Sequence, residues 1–131
     1  MIEVNNLAKE KVSEDFLKKI AQKVLGKKKL DLSIVIVGQD RIKELNIKYR
    51  KTKGPTDVLA FFYGDLAEII LCLPQIRKNA REYKTDFKEE LTRILIHGLL
   101  HVLGHNHKNK SEAVKMEKKE KEYLFKIHGK K

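Results

Sequence analysis

Apolar residues recur along this chain at two alternating spacings. Ile2 and Val4 alternate with polar neighbours, which predicts a short strand. Ser13 then stands before Phe16, Leu17, Ile20, Ala21, Val24 and Leu25. That is the spacing of one helix face, with Ser13 as its cap and Gly26 as its stop. Leu32 to Val37 is a short β-branched run closed by Gly38, the pattern of a buried strand. Asp40 is placed to cap a second helix with Ile42, Leu45 and Tyr49 on one face, before Gly54-Pro55 interrupts the chain.

Val58–Phe62 and Leu66–Leu71 are two strand-like runs flanking Tyr63-Gly64-Asp65, which predicts a hairpin. Pro74 fits the first turn of a third helix bearing Ile76, Ala80 and Tyr83. Asp86 precedes a long fourth helix through Phe87, Leu91, Ile94, Leu95 and Leu99 to Leu103, ending at Gly104. Ser111 is expected to open a last helix with Val114, Tyr123, Leu124 and Ile127 inward, and Gly129 to end it. Strands and helices interleave around one hairpin, so the expected class is α/β (α+β), a mixed sheet covered by helices. No repeat or Pro/Gly-rich linker divides residues 1–131, so one domain is expected, and 131 residues with 41% hydrophobic content can fill one core.

Composition narrows the setting. No apolar run approaches the roughly 20 residues of a membrane-spanning helix. Met1-Ile2-Glu3-Val4-Asn5 lacks the basic-then-apolar order of a signal peptide. The single cysteine, Cys72, lies among Ile69, Ile70, Leu71 and Leu73 and reads as a small buried hydrophobe. These features set the expectation of a cytoplasmic protein with no membrane partner. Charge is more telling. The 29 Lys and Arg exceed the 18 Asp and Glu by 11, an imbalance that attracts polyanions such as RNA. Near the C-terminus, Lys115, Glu117, Lys118, Lys119, Glu120, Lys121 and Glu122 mix signs as a solvated surface does. Lys48, Arg50, Lys51 and Lys53 form a stretch that no acid interrupts.

Four of the five histidines fall between His97 and His107. His97 and His101 are four apart on a predicted helix, so their side chains project from one face and can chelate one ion. Gly104 allows a positive-φ turn that can return His107 toward the pair as a third ligand. The spacing H-x-x-x-H-x-x-G-x-x-H matches the metzincin zinc pattern at its three ligands and its glycine. Three neutral imidazoles suit one Zn²⁺ ion and leave a fourth position open, as in a catalytic site. His105 is the weaker candidate for contact with the metal, and His128 is expected to be solvated. In zinc peptidases the residue after the first histidine is a glutamate acting as general base. Here it is Gly98, and proteolysis is disfavoured.

With these residues in view, the chain resembles the YbeY family of rRNA-maturation endoribonucleases, whose signature is H-G-x-L-H-L-x-G-[aromatic]-D-H. Two further blocks match: Glu44-Leu45-Asn46, then Tyr49-Arg50 and Pro55-Thr56-Asp57-Val58-Leu59-Ala60-Phe61 in one, and Gly64-Asp65-Leu66 in the other. The resemblance implies a mixed four-stranded sheet flanked by helices, with a zincin-like metal helix. It implies zinc ligands at His97, His101 and His107, and Arg50 as the functional basic residue, catalytic and substrate-binding, in the substrate groove. The implied activity is zinc-dependent cleavage of single-stranded RNA in 16S rRNA 3′-end maturation and ribosome quality control, with the ribosomal subunit as partner. Two positions depart from the signature. His105 replaces the aromatic residue, and Asn106 replaces the aspartate with a group that carries no charge.

Two other functions fit the residues read alone. One is a metal-dependent hydrolase of a peptide or amide. The other is a ribosome- or RNA-binding module stabilised by its metal and without turnover. Gly98 and the positive charge weigh against the first, and the open coordination position against the second.

Overall fold

The structure, a computed structural model, describes residues 1–49, the backbone of Arg50, and residues 56–105 and 108–129. Along the chain run β1 (Ile2–Asn6), α1 (Glu14–Leu25), β2 (Asp31–Val37), α2 (Gln39–Arg50), β3 (Val58–Phe62) and β4 (Leu66–Cys72). They are followed by α3 (Leu73–Tyr83), α4 (Phe87–Val102) and α5 (Lys110–His128). Ser13 caps α1 by accepting from the Phe16 amide, and Gly26 at φ 57° ends it. Pro74 sits in the first turn of α3.

Among the described residues the strands form one mixed sheet in the order β1-β2-β4-β3. β1, β2 and β4 are parallel, and β3 returns antiparallel on β4 through the Tyr63–Asp65 turn, as the hairpin pattern predicts. Register places Val4 beside Ile34, Ile34 beside Ile69, and Ile69 beside Ala60. Those side chains face α1 and α4 and join the main core with Leu17, Ile20, Leu95 and Leu99. α1 lies along β1, while α4 packs over β3 and β4 with α3 and α5 beside it. The opposite sheet face carries Val35, Val37, Leu59, Ile70 and Cys72, covered by Ile42 and Leu45 of α2. Burial on both faces explains why β2 is apolar without a break from Ile34 to Val37. Cys72 is fully buried, as expected, and burial pushes its thiol above the ordinary range.

Several helix details differ from the pattern reading. Asn109, not Ser111, caps α5: its extended backbone lets the carboxamide accept from the Glu112 amide, and Ser111 falls inside the first turn. α2 starts at Gln39, so Asp40 lies in the first turn, where its carboxylate complements the helix dipole. On α5 Val114 is exposed and Met116 is buried in its place. The inward stripe runs Met116, Glu120, Leu124, His128, every fourth residue, flanked by half-buried Tyr123 and Ile127. His128 is therefore not solvated. Its Nε2 is 2.8 Å from the Thr92 hydroxyl oxygen and its ring meets Phe16 edge-on.

Candidate metal and nucleic-acid site

Helix α4 places Arg93, His97 and His101 at successive intervals of four, so they form one row. The row borders a cleft of about 570 Å³ whose other wall is β3 and the residues before it, Asp57, Phe61 and Phe62 included. The helix stops where its sequence directs. Gly104 takes φ 100°, its amide donates to His101 O at 3.0 Å, and the His105 amide reaches Leu100 O at 3.0 Å. This pair of bonds is a Schellman turn, which a residue with a Cβ adopts only at a cost.

The two histidines converge. Nε2 of His97 and Nε2 of His101 are 3.3 Å apart, with ring centroids at 4.8 Å. Two nitrogens bound at about 2.0–2.1 Å to one tetrahedral ion stand about 3.3–3.4 Å apart. The donor pair therefore fits zinc by spacing and by chemistry. Among the described residues no group of three His, Cys, Asp or Glu side chains is placed to hold an ion, so His105 does not complete one. His107, the third ligand expected from the motif, lies outside the described residues, as does Asn106. Arg50 ends α2, and its side chain also lies outside them.

Around the pair stand groups to which the pattern reading assigned no role. Glu120 of α5, read as part of a solvated surface, is instead half-buried against α4. Its Oε2 accepts from His97 Nδ1, and its Oε1 is 4.0 Å from Arg93 Nη1. The signal for it was an acid set four residues from both Met116 and Leu124, on the apolar stripe. Arg93 also donates to buried Glu90, from Nε at 3.3 Å and from Nη2 at 2.6 Å. That hydrogen bond, outweighing burial, raises the guanidinium further above its already high range. Its signal was its place four residues before His97.

Asp57 lies in a block that carries the family resemblance but had no individual role. Its Oδ2 accepts from Asn79 Nδ2 at 3.0 Å, and Asn79 Oδ1 in turn accepts from Gln75 Nε2 at 3.2 Å. Burial raises the affinity of its carboxyl for a proton, against the lowering pull of its backbone hydrogen bond, Arg93 and His97. Asp57 thus lines the cleft as a carboxyl that burial inclines toward its protonated form.

Gly98 faces the sheet. A Cβ there would meet Val58 Cγ2 at 3.3 Å and Ile69 Cγ2 at 3.5 Å. The glycine thus permits close approach of α4 to β3 and β4. A glutamate at this position would enter the helix–sheet interface, which is a structural reason for the missing peptidase base.

Comparison with known proteins agrees with this architecture. Residues 2–128 match the family described as Endoribonuclease YbeY. The chain belongs to the endoribonuclease YbeY family. Its relatives include an Endoribonuclease YbeY from Petrotoga mobilis, 38% identical over 120 residues, covering 86% of this chain and 83% of the relative. One from Neorickettsia sennetsu is 37% identical over 118 residues, covering 85% and 82%. Among solved structures, the solution structure of a Thermotoga maritima protein superposes with a TM-score of 0.71 at 31% identity. That match covers 98% of this chain and 90% of the other. The α/β class and the YbeY resemblance read from the sequence therefore hold.

Proposed function

We propose that this protein is a zinc-dependent endoribonuclease that cleaves single-stranded RNA, acting in the cytoplasm on the ribosomal subunit during 16S rRNA 3′-end maturation and ribosome quality control. Membership of the YbeY family supports the reaction class. The observation that carries the metal is the 3.3 Å approach of the His97 and His101 Nε2 atoms at the mouth of the cleft. In this reading His97 and His101 hold one ion together with His107, the third histidine of the motif. Zinc so held is a Lewis acid able to polarise a phosphodiester oxygen or to activate water.

The chain's own residues do the rest. Arg50 binds the scissile phosphate and stabilises the charge that develops on it, a task suited to a planar, permanently charged guanidinium. Half-exposed Phe62 on the β3 wall offers a ring face on which an unpaired base can stack. Lys48, Lys51 and Lys53 extend the attraction for the backbone. A duplex offers no splayed base to such a wall, which favours single strands.

The test uses the metal-loaded protein with single-stranded RNA, duplex RNA and casein, each with and without chelator. The expected result is cleavage of single-stranded RNA alone, abolished by chelator and by His101→Ala. Casein cleavage would establish the peptide hydrolase instead. RNA binding without turnover at any metal level would leave a binding module.

A further inference from the structure

We propose that Glu120 is a positioning residue for the metal centre, fixing His97 from helix α5 as its Nδ1–H tautomer so that the Nε2 lone pair faces His101. The inference rests on the reading of His97 and His101 as metal ligands, and it assigns a role to a residue on a different helix.

The neutral imidazole carries one proton on two nitrogens, so whatever binds one nitrogen decides what the other can do. In His97 the two nitrogens face different surroundings. Nδ1 meets the Glu120 carboxylate, which can only accept, so Nδ1 must carry the hydrogen. Nε2 points to His101, and in this tautomer it is the nitrogen that carries the electron pair. A carboxylate in this position also makes the ring a stronger donor, and such partners typically change metal affinity 10–100-fold.

The placement of Glu120 is not that of an ordinary surface ion pair. Its side chain is 13% exposed, and it sits on the inward stripe of α5 between Met116 and Leu124. An apolar residue would serve a purely packing role at that position, since an uncompensated buried carboxylate is costly. Its neighbours on α4 supply the compensation. Oε1 is 4.0 Å from Arg93 Nη1, and Arg93 is itself held by Glu90. Arg93 thus holds the carboxylate in place while the second oxygen is spent on the histidine. A simple staple between α4 and α5 would need only the arginine. The bond to the ring nitrogen is what turns a helix contact into control of a ligand.

Nitrogen-15 NMR of the histidine rings in metal-free protein at mildly alkaline pH reads the tautomer directly. Competition with a chromophoric chelator reads zinc affinity. Both are measured for the wild type, Glu120→Gln, Glu120→Ala and the control Glu117→Ala, whose carboxylate is exposed and paired with Lys121.

Wild type, whose carboxylate can only accept, should show His97 protonated at Nδ1. Glu120→Ala should shift His97 toward Nε2–H and weaken zinc 10–100-fold. Glu120→Gln should lose less, and Glu117→Ala nothing. A wild-type His97 protonated at Nε2, or a Glu120→Ala protein with unchanged tautomer and zinc affinity, would overturn the proposal. If Glu120→Ala does not fold, Glu120→Gln decides: zinc affinity unchanged from wild type in the folded Gln variant is equally fatal. Wild type that takes up no zinc, yet keeps a Glu120-dependent tautomer, would refute the metal reading and uphold the orienting role.

Discussion

His97 and His101 show how little a residue's chemistry depends on its own identity and how much on what meets it. Each is an imidazole on a helix, but their Nε2 atoms meet at 3.3 Å while Nδ1 of His97 is engaged from behind. Asp57 illustrates the opposite balance, a group placed at a cost. Its folded-state pKa lies above the ordinary 3.8, chiefly through burial. The protonated form is therefore favoured by folding, and stability falls as pH rises from 3.8 through the folded value. Asp57→Asn keeps an oxygen for Asn79 and removes the charge. The variant should melt at a higher temperature than wild type at pH 7, and the gap should close below the ordinary value of 3.8. Paired melting curves across pH check this. Arg50→Ala should fold and bind zinc normally while losing at least about tenfold in RNA cleavage, about 1.4 kcal/mol of transition-state stabilisation. An unchanged rate would remove Arg50 from its assigned role.

At the scale of elements, α4 does two jobs that compete for its surface. One face presents Arg93, His97 and His101 to the cleft, and another, through Gly98, lies close on Val58 and Ile69. A glycine inside a helix costs up to about 1 kcal/mol in propensity. Here that cost permits a helix–sheet approach that sets the cleft wall. Gly98→Glu, which would recreate the peptidase spacing, should therefore yield no peptidase. It should destabilise by more than about 3 kcal/mol, since it drives a carboxylate into the interface. Chemical denaturation and a casein assay test the two halves separately. Helix α5 holds the site from the other side, anchored by fully buried Met116, whose burial is worth about 1.5–3 kcal/mol.

For the molecule as a whole, the excess of 11 positive charges governs encounter with a polyanion. If Lys48, Arg50, Lys51 and Lys53 each neutralise one phosphate, log K for a single strand should fall against log salt with a slope near about −2.8. Replacing the three lysines by alanine should flatten that slope by about 2, and leave zinc content unchanged. A slope insensitive to these lysines would place the RNA elsewhere on the surface. The C-terminal charges should contribute less, because Lys119 and Lys121 are already paired with Glu122 and Glu117.

The one-dimensional pattern by itself determined what local spacing can encode. It marked the helix and strand runs, the Gly104 stop, the His97–His101 row and the α/β class, because periods of two and near four are properties of a backbone. It misjudged Val114, His128 and the cap of α5, where a shift of one or two residues turns a side chain from solvent to core. What only the tertiary structure decided are the meetings between elements distant in sequence. Glu120 reaches His97 from another helix, Asp57 is held by Asn79, and Gly98 opens space for Val58. An acid in a charged run looks the same whether it faces water or a histidine. The packing of α5 against α4 distinguishes the two, because it takes Glu120 out of water and sets a ring nitrogen against it.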